Sequence, residues 1–395
     1  MAATRDVYVV AAARTPQGRF LGALRGLTAP KLGALAIRGA VDRCGLDPAL
    51  IEATFMGNVV SAGLGQAPAR QASLAAGLPA SSTATTVNRV CASGMDAVNQ
   101  ARLSIMAGDI SVGVAGGMES MSGAPHMLRG SRDGIRLGEG RLDDAVIVDG
   151  LWCSFSGSHM GVLAEVTAER HGIGRDEMDG FAYSSHQRAL AARRAGAFRD
   201  EIVPTRADDT RHAVAVMTDE GPRADTSPER LALLTPAFRD HGRITAGNAP
   251  GLADGAAALV LASDSAVGRH DLKPLARLID CVAVGSEPDR LFEAPADAIR
   301  KLSDKTGIRL NHHDLLEVNE AFAAQILANG RALDWDWARV NINGGAIALG
   351  HPIGATGARI VVSLTHALRA RGLKRGLAAL CHGGGGAMAL AVEAV

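Results

Sequence analysis

Apolar positions along the first 120 residues fall into short blocks whose period alternates. Residues 7–12 and 55–60 are short apolar runs bounded by turn residues, as buried strands are. Residues 31–44 and 66–76 space their apolar side chains three and four apart, as helices do. The helical step returns over 93–107, with Met95, Val98, Arg102 and Ile105–Met106 on one face, and 111–115 is again a strand. This rhythm predicts an α/β fold with a mostly parallel sheet covered on both faces.

The rhythm breaks after Met121. Residues 122–251 are polar, with Gly, Arg and Asp clusters at 129–144 and 206–225 around two helices at 161–171 and 175–195. An insertion of this size between regular blocks reads as a lid or ligand-holding subdomain. From residue 253 the pattern resumes. Strands are expected at 256–262, 276–284, 315–319, 340–342, 377–380 and 387–392, and helices at 295–306, 321–330 and 355–371. The two regular blocks look alike. In one, Cys91 opens a helix and a strand ending in Gly116-Gly117 follows; in the other, His351 precedes a helix and a strand ending in Cys381 and four glycines follows. An internal duplication would turn the strand ends of both halves toward one crevice.

Composition narrows the function. The chain has 395 residues, enough for two or three domains or one large duplicated core. Aromatic residues make up 3% and there are 47 glycines, so the core is built from small aliphatic side chains rather than a base-stacking surface. Lys plus Arg and Asp plus Glu balance at 41 each, which leaves no net field for nucleic acid or an anionic membrane. No apolar run reaches transmembrane length. Arg5 and Asp6 interrupt any signal-peptide core, and the last residues, Glu393-Ala394-Val395, form no peroxisomal tripeptide. The five widely spaced cysteines (44, 91, 153, 281, 381) fit free thiols in a cytoplasm better than a disulfide frame or zinc site.

Four segments carry candidate chemistry. Val87 to Met95 puts Cys91 where the chain turns into a helix, and the free N–H groups and dipole there favour thiolate. The alternative is a small buried apolar side chain. Asn343 to Gly357 surrounds His351 with five glycines, which would let backbone approach a ligand while Pro352 stiffens the turn. A neutral imidazole beside a thiol makes a nucleophile; alone, the histidine is also readable as a core residue. Cys381-His382-Gly383-Gly384-Gly385-Gly386 offers N–H groups for an oxyanion, or simply a hairpin. Glu317 to Ala323 places Asn319 and Glu320 at another strand end, the first to hold a water or polarise an oxygen, the second to cap the helix.

Together these segments resemble the signature regions of the thiolases, and in particular the bacterial acetoacetyl-CoA branch. Gly117-Met118-Glu119-Ser120-Met121-Ser122, His159-Met160-Gly161 and Thr245-Ala246-Gly247-Asn248-Ala249 carry that closer likeness. The resemblance covers nearly the whole chain. It implies a duplicated five-layer αβαβα core with an inserted loop domain. The expected divisions are 1–121 as the N-terminal half (completed by 252–273), 122–251 as the loop domain over the coenzyme A site, and 274–395 as the C-terminal half.

By resemblance, Cys91 takes the acyl group after activation by His351, and Cys381 moves the proton at the second acyl-CoA. His351 with an Asn319-held water forms one oxyanion site, and the N–H groups of Cys91 and Gly383 the other. Arg223 would lie against the adenine of coenzyme A, while His159, Met160, Phe238 and Phe322 line the pantetheine and acyl pocket together with Ala246 and Pro250. Coenzyme A and acetyl-CoA enter as substrates; no metal or permanently bound cofactor is implied. A homodimer or homotetramer is expected, with 129–144 as a tetramer contact.

Three features depart from the family pattern. Pro250 stands where a serine is usual, removing a hydroxyl and an N–H. Phe292 and Glu293 replace small residues beside the acyl site, and His382 follows the second cysteine where an apolar residue is usual. These lead to the expectation that substrate choice has drifted from acetoacetyl-CoA. The competing readings are a degradative 3-ketoacyl-CoA thiolase of longer chain range, a decarboxylating ketoacyl synthase, and a non-catalytic acyl-CoA or lipid binder.

Overall fold

The computed structural model describes residues 5–206 and 215–395. Its N-terminal half contains β1 (Val7–Arg14), α1 (Ala29–Cys44), β2 (Ala53–Gly57), α2 (Pro68–Ala75), β3 (Thr83–Val87), α3 (Ser93–Ala107), β4 (Val112–Ser120) and, after the insertion, β5 (Ala253–Ser263). The insertion holds α4 (Met160–Arg170) and α5 (Arg175–Arg194). The C-terminal half contains β6 (Ala276–Gly285), α6 (Ala294–Thr306), β7 (Leu315–Val318), α7 (Ala323–Leu333), α8 (Ile353–Ala370), β8 (Arg375–Cys381) and β9 (Gly386–Ala394).

The duplication is explicit in strand order. One half runs β1-β5-β4-β2-β3, the other β6-β9-β8-β7, and two residue pairs between β1 and β6 join them into one sheet. Residue Val340, expected in a strand, makes a single bridge to Leu316 at the place that β3 fills in the first half. A mostly parallel sheet is not what forms. Among the described residues, the named strands pair in parallel at β7/β8, β2/β3 and β2/β4, and their other pairings are antiparallel. The reason lies in the connections: β8 and β9 are joined by a short glycine turn, too short for a parallel crossover. Strand β3 was not anticipated; its Thr-Ala-Thr-Thr-Val alternates outward and inward at the sheet edge.

Five layers follow from which face each helix buries. Leu32 and Ile37 of α1 pack on Met56, Val114 and Val260 on one outer face. Ala298, Ile299 and Leu302 of α6 and Ile326 of α7 pack on Leu377 and Ala389 on the other. Between the halves lie α3 and α8, whose Met95, Val98, Ile105, Ile360 and Leu364 meet Leu259, Leu261, Leu390 and Val392. Burying each large aliphatic side chain of this kind contributes about 1.5–3 kcal/mol.

The N-terminal ends of these two inner helices meet backbone to backbone. A Cβ on Gly94 would lie 2.7 Å from Ala358 N, and one on Gly357 would lie 2.5 Å from Met95 N. Gly57 and Gly117 leave room for Gly354 O in the same way. This answers the glycines around His351. Gly344, Gly345, Gly354 and Gly357 admit neighbouring protein atoms, not a ligand as the sequence had implied.

Candidate active site

Cys91 stands two residues before α3, behind Val90 at φ 45°. A β-branched residue in the left-handed region is strained by about 1–3 kcal/mol. The turn is held by Val90 N donating to Asn88 Oδ1 at 3.0 Å, Arg89 N donating to Ser93 Oγ at 2.8 Å and Ser93 Oγ donating to Val90 O at 2.6 Å. Burial pushes the Cys91 thiol up to about 12, while the N–H groups of Gly383 and Cys91 itself pull it down. Against the expectation of a thiolate favoured by the helix start, desolvation is the largest influence on this group and favours the thiol.

His351 precedes α8 in the Pro352 turn. Its Nδ1 lies 2.7 Å from Thr356 Oγ1, and that hydroxyl gives its only proton to Pro352 O at 2.9 Å. The hydroxyl must then accept, so Nδ1 carries the hydrogen and Nε2 presents a lone pair. Nε2 is buried and has no protein partner. Burial, helped by Arg359, lowers the imidazole to about 3, so it stays neutral.

Cys381 ends β8, and burial first, then the neighbouring Cys91, raises its thiol well above the usual value. The glycine turn that follows is closed by His382 N donating to Gly386 O at 2.9 Å, with Gly384 and Gly385 at φ 87° and 97°. The run forms a tight hairpin, and its Gly383 N–H lies on the side of Cys91, where it favours the charged form of that thiol. His382 folds back over this turn, with Nδ1 2.9 Å from Gly383 O and its ring against Gly386.

Cys91, His351, Cys381 and Gly383 line one cavity of about 340 Å³, with His159, Met160, Phe238, Ala246, Pro250 and Phe322 in its walls. His159 caps α4, accepting from Gly161 N at 3.0 Å, and stacks on Phe238 with ring centres 4.8 Å apart. Phe238 meets Phe322 edge-on, and Phe292 meets Phe322 edge-on at 5.4 Å. A π-helical turn, Val146–Leu151, adds Ile147 and Leu151 to the lining. Arg223 lies instead in an adjoining groove of about 570 Å³ with Arg19, Phe20, His186 and Arg230, which shares Ala246, Ala249 and Gly251 with the inner cavity. Asn319 is not in the cavity wall. It is buried just beyond β7, and neither atom of its amide has a protein partner.

Residues 7–265 match the model of the thiolase N-terminal domain and 272–394 that of the thiolase C-terminal domain. The chain belongs to the thiolase family. It is 49% identical to an acetyl-CoA acetyltransferase of Pseudomonas aeruginosa, over 98% of each chain, and 47% identical to that of Cupriavidus necator, over 98% of this chain and 99% of the relative. The crystal structure of the Bacillus anthracis acetyl-CoA acetyltransferase superposes with a TM-score of 0.98 at 44% identity, covering all of both chains. Human mitochondrial 3-ketoacyl-CoA thiolase in complex with CoA gives 0.96 at 40% identity, covering 100% of this chain and 99% of that one.

Two departures from the thiolase pattern separate in space. Phe292 turns inward into the cavity wall, whereas Glu293 turns outward and accepts from Arg170 Nη1 at 2.5 Å. Sequence reasoning did not name Thr356 or the buried Glu119 for this thiolase's site, and it misassigned Glu320. Phe322 occupies the N-cap position of α7 without a capping side chain, and Glu320 instead accepts from Ser185 Oγ, Asn341 Nδ2 and Ile347 N. A signal for Glu119 was present: it is the one charged residue in the otherwise uncharged Val-Gly-Val-Ala-Gly-Gly-Met-Glu-Ser run of β4.

Proposed function

We propose that this thiolase interconverts two acyl-CoA molecules and 3-ketoacyl-CoA plus coenzyme A through an acyl group carried on Cys91, with acetyl-CoA as the preferred acyl donor. The observation that carries the reading is the convergence of Cys91, His351, Cys381 and Gly383 on one apolar cavity. In the cleavage direction, the Cys91 thiol gives its proton to His351 Nε2 and the sulfur attacks the 3-keto carbon. The oxyanion is met by the Cys91 and Gly383 N–H groups. The bond between C2 and C3 breaks, and the Cys381 thiol protonates the C2 carbanion, releasing acetyl-CoA. Coenzyme A then takes the acyl group from Cys91.

Both thiols are protonated at rest and the imidazole is neutral, which are the states that this sequence of proton transfers starts from. Once protonated, Nε2–H becomes a donor, and with a water on Asn319 it supports the thioester oxygen of the enolate. Arg223, at the mouth of the groove, suits the adenine end of coenzyme A, and residues 122–251 act as the domain that covers it.

The relatives' name favours acetyl transfer, and the Phe292–Phe322 pair, closing the cavity wall, agrees with a short acyl group. Five free thiols suit a reducing cytoplasm. The hairpin of His126–Leu128 and Leu142–Asp144, with Leu137 97% exposed, suits a contact between subunits of a homodimer or homotetramer. Incubation with acetyl-CoA followed by mass spectrometry tests the reading: an acetyl adduct on the Cys91 peptide is expected, and its absence sinks the proposal.

A further inference from the structure

We infer that Glu119 and Glu320 are positioning residues for His351: two buried carboxylates, one from each half, fix the two ends of the loop that carries the imidazole. The inference rests on the proposed role of His351 as the base for Cys91. Glu119 is surrounded by donors. Its Oε1 accepts from Asn58 Nδ2 at 2.8 Å and Val60 N at 3.2 Å, and its Oε2 accepts from Val59 N at 3.1 Å and Gly354 N at 2.9 Å. Gly354 lies in the first turn of α8, three residues beyond His351.

Glu320 holds the other end. Its Oε2 accepts from Ser185 Oγ at 2.7 Å and Ile347 N at 3.1 Å, its Oε1 accepts from Asn341 Nδ2 at 2.9 Å, and Ser185 Oγ in turn accepts from Gly345 N at 3.1 Å. Asn341, Gly345, Ile347 and Gly354 are thus all tied, directly or through Ser185, to one of two carboxylates. The stretch between Ile347 and Gly354 has His351 N donating to Gly251 O at 3.0 Å.

The sequence explains why such anchors are needed. Gly344, Gly345, Gly350 and Gly354 remove intrinsic stiffness from the loop. Hydrogen bonds to carboxylate are stronger than those to neutral oxygen, and more so away from water. Among the described residues neither carboxylate forms an ion pair, so their buried partners are N–H and O–H donors alone. A carboxylate is costly to bury without a cation, and packing alone gives no reason for two of them at one loop.

The test uses the full chain and reads the first-order rate of Cys91 acetylation at saturating acetyl-CoA by rapid quench and mass spectrometry. Glu119→Gln and Glu320→Gln are each expected to slow it roughly 10- to 100-fold, the cost of displacing a reacting group by about 1 Å. Coenzyme A affinity should fall less than the acetylation rate, because only the Ile347–Gly350 edge of the groove belongs to the tied loop. Glu119→Asp should recover part of the loss, and the double Gln variant should lose less than the product of the single losses, because both hold one loop. If either Gln variant does not fold, Ser185→Ala decides, since it removes one hydroxyl between Glu320 and Gly345: acetylation about threefold slower or more supports the inference. Parent-like acetylation in the Gln variants or in Ser185→Ala, or a loss confined to coenzyme A affinity, overturns it. A parent protein that never acetylates Cys91 would instead remove the reading beneath it.

Discussion

The two halves share one topology yet use their strand ends differently. Asn58, just past β2, has its amide nitrogen bonded both to Glu119 and to Met118 O. Asn319, just past β7 in the other half, has no partner on either amide atom. The same holds for the inner helices: α3 follows a strained turn that presents a thiol, and α8 follows a turn whose imidazole keeps Nε2 bare. In one fold built twice, matching strand-end asparagines differ in use: the Asn58 amide nitrogen ties the frame, although its Oδ1 has no protein partner, while Asn319 leaves both amide atoms open.

The division of labour between the two cysteines is where this contrast should break first. Cys91→Ala should abolish the acetyl adduct and lower thiolysis by at least about 10⁴-fold. Cys381→Ala should still form the adduct on Cys91 yet lose about 10³-fold in turnover, read by mass spectrometry beside a steady-state assay. A fully active variant of either would end the proposed mechanism.

The asparagine pair gives the next largest effect. Asn319→Ala should cost about 10²-fold or more in kcat. Its thermal stability should change little, since no hydrogen bond to the protein is lost. Asn58→Ala should instead cost about 1–3 kcal/mol of stability by taking a donor from Glu119. Denaturant titration and kinetics on both variants decide it, and exchanged outcomes would show that the frame and the site had been misread.

Thr356→Val should lower kcat about tenfold by freeing the imidazole to adopt the other tautomer. The pH dependence of Cys91 alkylation sharpens the same point. Burial raises the thiol to about 12 and lowers His351 to about 3, so no imidazolium is present to hold a thiolate. Iodoacetamide labelling of Cys91 should therefore keep rising from about pH 6 to about pH 9 as thiolate forms. A plateau near neutral pH would reveal a resting ion pair. The smallest effect concerns Phe292→Ala, which should raise activity on an eight-carbon relative to a four-carbon 3-ketoacyl-CoA by about tenfold, comparing kcat/KM.

The duplication and the places of Cys91, His351 and Cys381 at strand ends or helix starts were legible in period and glycine content, and their joint role came from the resemblance to the thiolases. Sheet direction was harder. Alternating strands and helices read as parallel, yet Gly383–Gly386 is too short for a crossover and already required β8 and β9 to be antiparallel. Glu119 and Glu320 were obscure for another reason. Their partners lie far away, Gly354 235 residues from Glu119 and Ser185 135 from Glu320, and no local pattern carries such a pairing.

The contact between α3 and α8 has a further consequence. Where Gly94 and Gly357 bring the two helices together, the spacing is set by main-chain atoms, which substitutions elsewhere in the helices leave in place. Aliphatic residues deeper in the two helices can be exchanged for others of similar volume without shifting the thiol against the imidazole. Phe292 belongs to a different wall, so the acyl pocket can be reshaped while the reacting groups keep their register. The molecule separates what must stay fixed for catalysis from what can vary for specificity, and the separation is written in glycine.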